Sequence, residues 1–138
     1  MIVVDTNIVS EVMRLAPTES VLSWLNEQTT ANLYLSTITI AEICFGLRVL
    51  PMGARRRLLE DKFERFVALA FEQRILSFGE MEARLYSDLM GHRREIGHPL
   101  SMADGQIAAI ARVHGYAIAT RNIRDFEDCG LELINPFS

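Results

Sequence analysis

Four short stretches of the chain carry side chains whose types and surroundings could do chemistry. The opening MIVVDTN runs three apolar residues into Asp5, followed by Thr6 and Asn7. TITIAEICFGL holds Glu42 in a segment that is apolar around nearly its whole helical circumference, with Ile38, Phe45 and Val49 at helical spacing on the glutamate's own face. LSMADGQIAAIA holds Asp104, whose face continues as Ala108 and Ala111 and so leaves room for an approaching group. TRNIRDF places Asn122 and Asp125 just after an apolar run, with Thr120 before them. A carboxylate buried alone on an apolar face costs several kcal/mol or takes up a proton, roughly speaking. Converged carboxylates repel, and each raises the others' pKa unless a cation compensates. Mg²⁺ or Mn²⁺ is the natural compensator, because hard divalent ions prefer carboxylate and water oxygens. An ion held this way activates water and stabilises the oxygens of a phosphodiester under attack. That chemistry needs no lysine, cysteine or histidine.

Each of these residues also has an ordinary structural use. Asp5 or Thr6 can cap the next helix. Ser101 to Asp104 is close to a capping box, with Asp in place of the usual Glu or Gln. Glu42 can pair with an arginine, Arg48 being the nearest along its helix. Asn122 and Asp125 are common turn residues. What favours the chemical reading is convergence, and convergence depends on the elements that position the four stretches.

Those elements follow from periodicity. Ile2–Val4, Leu33–Leu35, Ile75–Leu76, Ala117–Ala119 and Leu131–Ile134 read as short buried strands. Helices are predicted from Thr6 to about Arg14, Thr18 to Gln28, Thr37 to Val49, Gly53 to about Leu69, Glu80 to Glu95, and Ser101 to His114 with Gly115 as C-cap. Apolar strands alternating with helices mean a parallel sheet covered on both faces. Ligands in such folds bind beyond the carboxyl ends of the strands. Asp5 ends the first strand and Thr120 to Asn122 follow a later one, so both stand where a ligand would be held.

The bulk properties set bounds. A chain of 138 residues without repeats or linkers suits one domain over residues 1–138. No apolar run approaches the roughly 20 residues of a membrane-spanning helix. Asp5 interrupts the apolar start and no basic segment precedes it, so the expectation is a cytoplasmic protein rather than a secreted one. Cys44 and Cys129 show no disulfide or zinc pattern; reduced thiols are expected, with Cys44 in the core. The net charge of −4 argues against nucleic-acid binding through a global field, while leaving local basic patches open. Among the 14 basic residues only Lys62 is a lysine. No G-x-G-x-x-G follows a strand, which removes a dinucleotide enzyme. A phosphoacceptor domain wants paired acids after the first strand and a late lysine, and a haloacid-type phosphatase wants a second Asp where Asn7 stands.

Taken in order, MIVVDTN, AE with Gly46 shortly after it, SMAD leading into IAAIA, and ATRNIRDF with a terminal NP resemble a PIN domain. More narrowly they resemble the VapC-type toxin of VapBC toxin–antitoxin pairs, near its FitB-like branch. The resemblance spans essentially the whole chain. It implies a PIN-like three-layer α/β/α sandwich with a central, mainly parallel sheet, and a Mg²⁺- or Mn²⁺-dependent ribonuclease held inactive by a cognate VapB-type antitoxin. It further implies a homodimer that meets DNA only through that antitoxin. Matched by position, Asp5, Glu42 and Asp104 fall on the family's metal-site acids, and Asn122 on a fourth catalytic position where many members have Asp. Thr6, Asn7 and Thr120 match supporting polar positions, and Asp125 can stand in for the missing acid. Arg121, Arg124 and Arg94 are candidate RNA contacts, with Arg93 and His98 beside them. The Arg55–Arg57 run reads as a solvated helix face. The apolar faces around Val21–Leu25 and Leu58–Phe66 are candidate docking surfaces or simply core. A PIN-fold binding module, acting through an antitoxin–DNA complex with little nuclease activity, is the alternative.

Overall fold

The computed structural model describes all 138 residues. Five short strands, β1 (Ile2–Val4), β2 (Leu33–Ser36), β3 (Ile75–Leu76), β4 (Ala117–Ala119) and β5 (Leu133–Ile134), form one sheet in the order β3-β2-β1-β4-β5. Every pairing is parallel. Parallel neighbours cannot be joined by a hairpin, so helices make the crossovers. These are α1 (Thr6–Val12), α2 (Glu19–Glu27), α3 (Thr37–Arg48), α4 (Ala54–Phe66), α5 (Glu80–Glu95) and α6 (Met102–His114).

Successive strand residues point to opposite faces, and that alternation builds the layers. Ile2, Val4, Leu33, Leu35, Ala117 and Ala119 pack with Ile8 and Val9 of α1, Val21 of α2, Ile43 and Leu47 of α3 and Phe63 of α4. Val3 and Ile118 pack on the other face with Leu89 of α5 and Ile107, Ala108 and Ala111 of α6. The result is the expected α/β/α sandwich. Gly105 lets α5 and α6 approach closely: a Cβ there would stand 2.6 Å from the Met90 Sδ and 2.9 Å from a Tyr86 ring carbon. No helix is long and apolar enough to cross a membrane.

The strand order reverses beside β1. The chain builds outward from β1 to β3, then restarts on β1's other side with β4. The crevice at such a reversal is where α/β sheets bind ligands, and Asp5 and Thr120 end the two strands that flank it. The Asp5 amide donates to the Ala119 carbonyl at 2.9 Å, which extends the β1–β4 pairing to the rim of the crevice.

Two expectations about α3 are corrected. Its inward stripe is Thr39, Ile43 and Leu47, while Glu42 is exposed and its neighbours Phe45 and Val49 are 69% and 63% exposed. Cys44 is exposed too, not a core residue. Element boundaries differ modestly from the periodic reading: α1 stops at Val12, α4 passes into a single wide turn over Val67–Phe71, and β5 starts at Leu133. Just past the end of α1, the Lys62 Nζ donates to the carbonyls of Met13 and Arg14 at 3.2 Å each. The α2 face around Val21 is core. On α4, Phe63 is buried and Leu59 and Phe66 pack against it, so only Leu58 stands out, 61% exposed.

Candidate active site

Asp5 is both a helix cap and a candidate ligand. It is buried, and its Oδ1 accepts the Thr6 amide at 2.8 Å while its Oδ2 accepts the Thr120 hydroxyl at 2.8 Å. Thr120, also buried, works as a hub: its Oγ1 accepts from Asn7 Nδ2 at 3.3 Å and from the Asn122 amide at 3.0 Å. Asn7 then accepts the Arg121 amide through Oδ1 at 3.2 Å. A carboxylate has about four acceptor positions, so two donors leave half of that capacity for the crevice. Burial pushes the Asp5 carboxyl up to about 6; Thr120 and Thr6 oppose the rise, and the charges of Asp104 and Glu42 add to it.

Glu42 reaches the same crevice from its exposed helix position. The Thr6 hydroxyl donates to its Oε1 at 2.7 Å, so the residue after Asp5 ties one carboxylate to the other. The Thr6 Oγ1 also lies 3.0 Å from the buried Thr39 Oγ1. Thr39 in turn gives its amide to Ser36, whose side chain caps α3 at 3.1 Å. Arg48 makes no ion pair with Glu42: six residues along the helix, it lies off the glutamate's face.

Asp104 enters from the start of α6. Its amide donates to the capping Ser101 Oγ at 3.2 Å, and its carboxylate is half-buried. Burial raises that carboxyl's pKa; the Ser101 hydrogen bond opposes, Asp125 and Glu42 raise it further, and Arg93 opposes. Ala108 and Ala111 leave no space beside it. Both are fully buried, so the small residues on this face bring α6 close to the sheet rather than admitting a ligand.

The three carboxylates line one crevice of about 590 Å³ with no apolar residue in its wall. Thr6, Asn7, Asn122, Asp125 and Arg121 line it as well. Arg124 and Arg94 are exposed but do not line it. Arg93 is not a candidate for a substrate contact: it is buried and donates to the carbonyls of His98, Asp125 and Glu127 at 2.6, 3.3 and 2.7 Å. Three further lining residues, Ser10, Glu11 and Arg14, escaped the sequence reading. Their signal was there: Asn7, Ser10, Glu11 and Arg14 recur at three-and-four spacing as a polar stripe beginning just after Asp5. Glu11 is buried, and the Thr18 amide holds its carboxyl below the usual range.

The wall carries five carboxylates against the guanidiniums of Arg14 and Arg121, and no thiol or imidazole. Such a donor set fits a hard divalent cation. As the side chains stand, no three His, Cys, Asp or Glu groups are close enough to hold one ion between them. Beside the crevice runs a second groove of about 910 Å³, half of its lining apolar, which shares Thr6, Ser10, Arg14 and Glu42 with it.

Comparison with known proteins agrees with this fold. The PIN domain family profile matches residues 2–130. The chain is 43% identical to the VapC ribonuclease Y4jK of Sinorhizobium fredii over 99% of its own length and 98% of the relative's. It is 35% identical to Toxin FitB of Neisseria gonorrhoeae, covering 99% of each chain. A solved structure of FitAB bound to the IR36 DNA fragment superposes with a TM-score of 0.93 at 35% identity, covering 100% of this chain and 96% of that one. Fold, site placement and these likenesses together establish that the chain belongs to the PIN-domain family.

Proposed function

We propose that this PIN domain is the toxin of a type II toxin–antitoxin pair and a metal-dependent ribonuclease that hydrolyses RNA phosphodiester bonds in the acidic crevice. The observation that carries the reading is the under-compensated charge at the β1–β4 switch point, where Asp5 sits near a pKa of 6 with Asp104 and Glu42 facing it. The likeness to proteins named VapC ribonuclease and Toxin FitB supplies the biological setting.

Asp5, Glu42 and Asp104 are the residues that would hold Mg²⁺ or Mn²⁺, with Asn122 or Asp125 completing the set. A divalent ion bound there would activate water and draw charge from the phosphodiester oxygens. The chain's own residues prepare that site. Thr120 and the Thr6 amide fix the plane of the Asp5 carboxylate, and the Thr6 hydroxyl fixes one oxygen of Glu42. Arg121 offers positive charge to the RNA backbone. The groove that adjoins the crevice, with the exposed Leu58 on its wall, suits a cognate VapB-type antitoxin whose arginine would pair bidentately with the carboxylates. A homodimer and a cytoplasmic location complete the reading.

The test is cleavage of mixed RNAs by the purified chain with Mn²⁺, with chelator, and by the Asp5→Asn variant. Cleavage should need the ion and fall on the order of a hundredfold or more in the variant. Cleavage by Asp5→Asn at the parent rate overturns the assignment. Asn122, uncharged where many family members have an acid, favours the second reading of a binding module that acts at DNA through its antitoxin. Likeness to a DNA-bound FitAB structure is in keeping with it. Absence of metal-dependent cleavage, with promoter DNA bound only when an antitoxin is present, would select that reading.

A further inference from the structure

One cation on the crevice wall is held by more machinery than an ordinary surface arginine. Glu11 is only 4% exposed, and its Oε2 accepts both the amide and the hydroxyl of Thr18, at 2.9 and 3.1 Å. Those two bonds fall on one oxygen of the buried carboxylate. Arg14 completes the set, Nη1 donating to the two carboxylate oxygens at 3.2 and 3.3 Å. The backbone beneath Arg14 is pinned as well, since Lys62 donates to the carbonyls of Met13 and Arg14 at 3.2 Å. The guanidinium edge formed by Nε and Nη2 donates to nothing in the protein. That edge is the one whose parallel N–H groups match two oxygens of a phosphate.

Arg14 is also the only cation that lines both the acidic crevice and the adjoining groove. A polyanion cut among carboxylates needs positive charge where it leaves them. Arg121, after β4, and Arg14, after α1, both supply it on the crevice wall, and only Arg14 does so where the groove joins.

We propose that Arg14 binds the RNA phosphate next to the one in the crevice, on the groove side, with Glu11 as its positioning residue. The identity of the polyanion rests on the nuclease reading above. The test is binding of a fluorescent single-stranded RNA by polarisation in chelator, which withholds the ion that cleavage needs, over a series of KCl concentrations. Arg14→Gln should bind about five- to tenfold more weakly, with its log–log salt slope shallower by about 0.7, the contribution of one lost phosphate contact to single-stranded RNA. Arg14→Lys should restore the slope but not the full affinity, because a point charge lacks the fork. Its melting temperature should not change, the pair being largely exposed on the arginine side. Glu11→Gln should weaken binding alone and add nothing in the Arg14→Gln background; should Glu11→Gln fail to fold, Arg14→Gln carries the test alone.

Wild-type affinity and slope in Arg14→Gln overturn the proposal, as does a wild-type chain that binds no RNA. Normal RNA binding by Arg14→Gln with loss of its antitoxin assigns the cation to the protein partner and overturns it equally. Mn²⁺-dependent cleavage measured in parallel keeps the two readings apart. Cleavage with an unchanged slope sinks the Arg14 proposal alone, and a lost slope without cleavage sinks the nuclease reading alone.

Discussion

Asp5 and Arg93 are equally buried, each 5% exposed, and the chain treats their charges in opposite ways. Near the end of α5, Arg93 donates through Nε and Nη1 to three carbonyls and the Cys129 sulfur, holding the 125–129 turn against the helix. Asp5 ends β1 with two donors and two like-charged neighbours, and burial, reinforced by those neighbours against the donors, pushes its carboxyl up to about 6. A buried charge that is satisfied makes structure. A buried charge left short of compensation, at a strand end beside a crevice, marks where a ligand belongs.

Breaking the satisfied end should have the largest effect. Arg93→Ala strands three carbonyls and is expected to destabilise by roughly 3–5 kcal/mol, lowering the melting temperature by about 10 °C or more. A loss below about 1 kcal/mol would mean that water replaces the guanidinium easily, and the contrast would fade.

Breaking the other end should stabilise. The Asp5 pKa is raised on folding, from 3.8 to about 6, so the folded chain holds that proton more tightly than the unfolded one. The stability this contributes is complete below about pH 4 and is lost as pH rises through 6. Without divalent ions, the penalty above pH 7 is on the order of 3 kcal/mol as an upper bound. Asp5→Asn should therefore melt higher than wild type at pH 8, with the gap closing towards pH 4. Parallel stability-versus-pH curves for the two proteins would refute the claim that Asp5 is electrostatically strained.

The smallest effect is expected at the residue that the fold turned outward. Cys44→Ser should change stability by no more than about 0.5 kcal/mol. In the native protein Cys44 should be alkylated well before the buried Cys129, though more slowly than an open thiol, since partial burial and the charges of Glu64 and Glu60 push its pKa up. Equal alkylation rates for the two cysteines would contradict the orientation of α3.

What the sequence made legible was the alternation of strands and helices and the four polar stretches at their junctions. All five strands and six helices fall where periodicity puts them, because short apolar runs and capping residues such as Ser101 and Gly115 are local signals. Facing was harder to read. α3 is apolar on most sides, so nothing in TITIAEICFGL says that the sheet takes Thr39, Ile43 and Leu47 and leaves Phe45 and Val49 outside. Arg93 and Arg94 are adjacent letters about 100° apart on a helix; one is buried and one exposed, a distinction set by the 125–129 turn more than thirty residues later. Glu11 was passed over for a similar reason, since its partner Thr18 lies beyond the end of its own helix.

The most direct measurement is the carboxyl titration of Asp5 by carbon-13 NMR, without and with Mg²⁺. A midpoint near 6 in the metal-free protein, falling well below 4 when the ion is added, is the result expected of a crevice built to be neutralised by a divalent cation. A midpoint at the ordinary value of 3.8 that ignores the ion would contradict it.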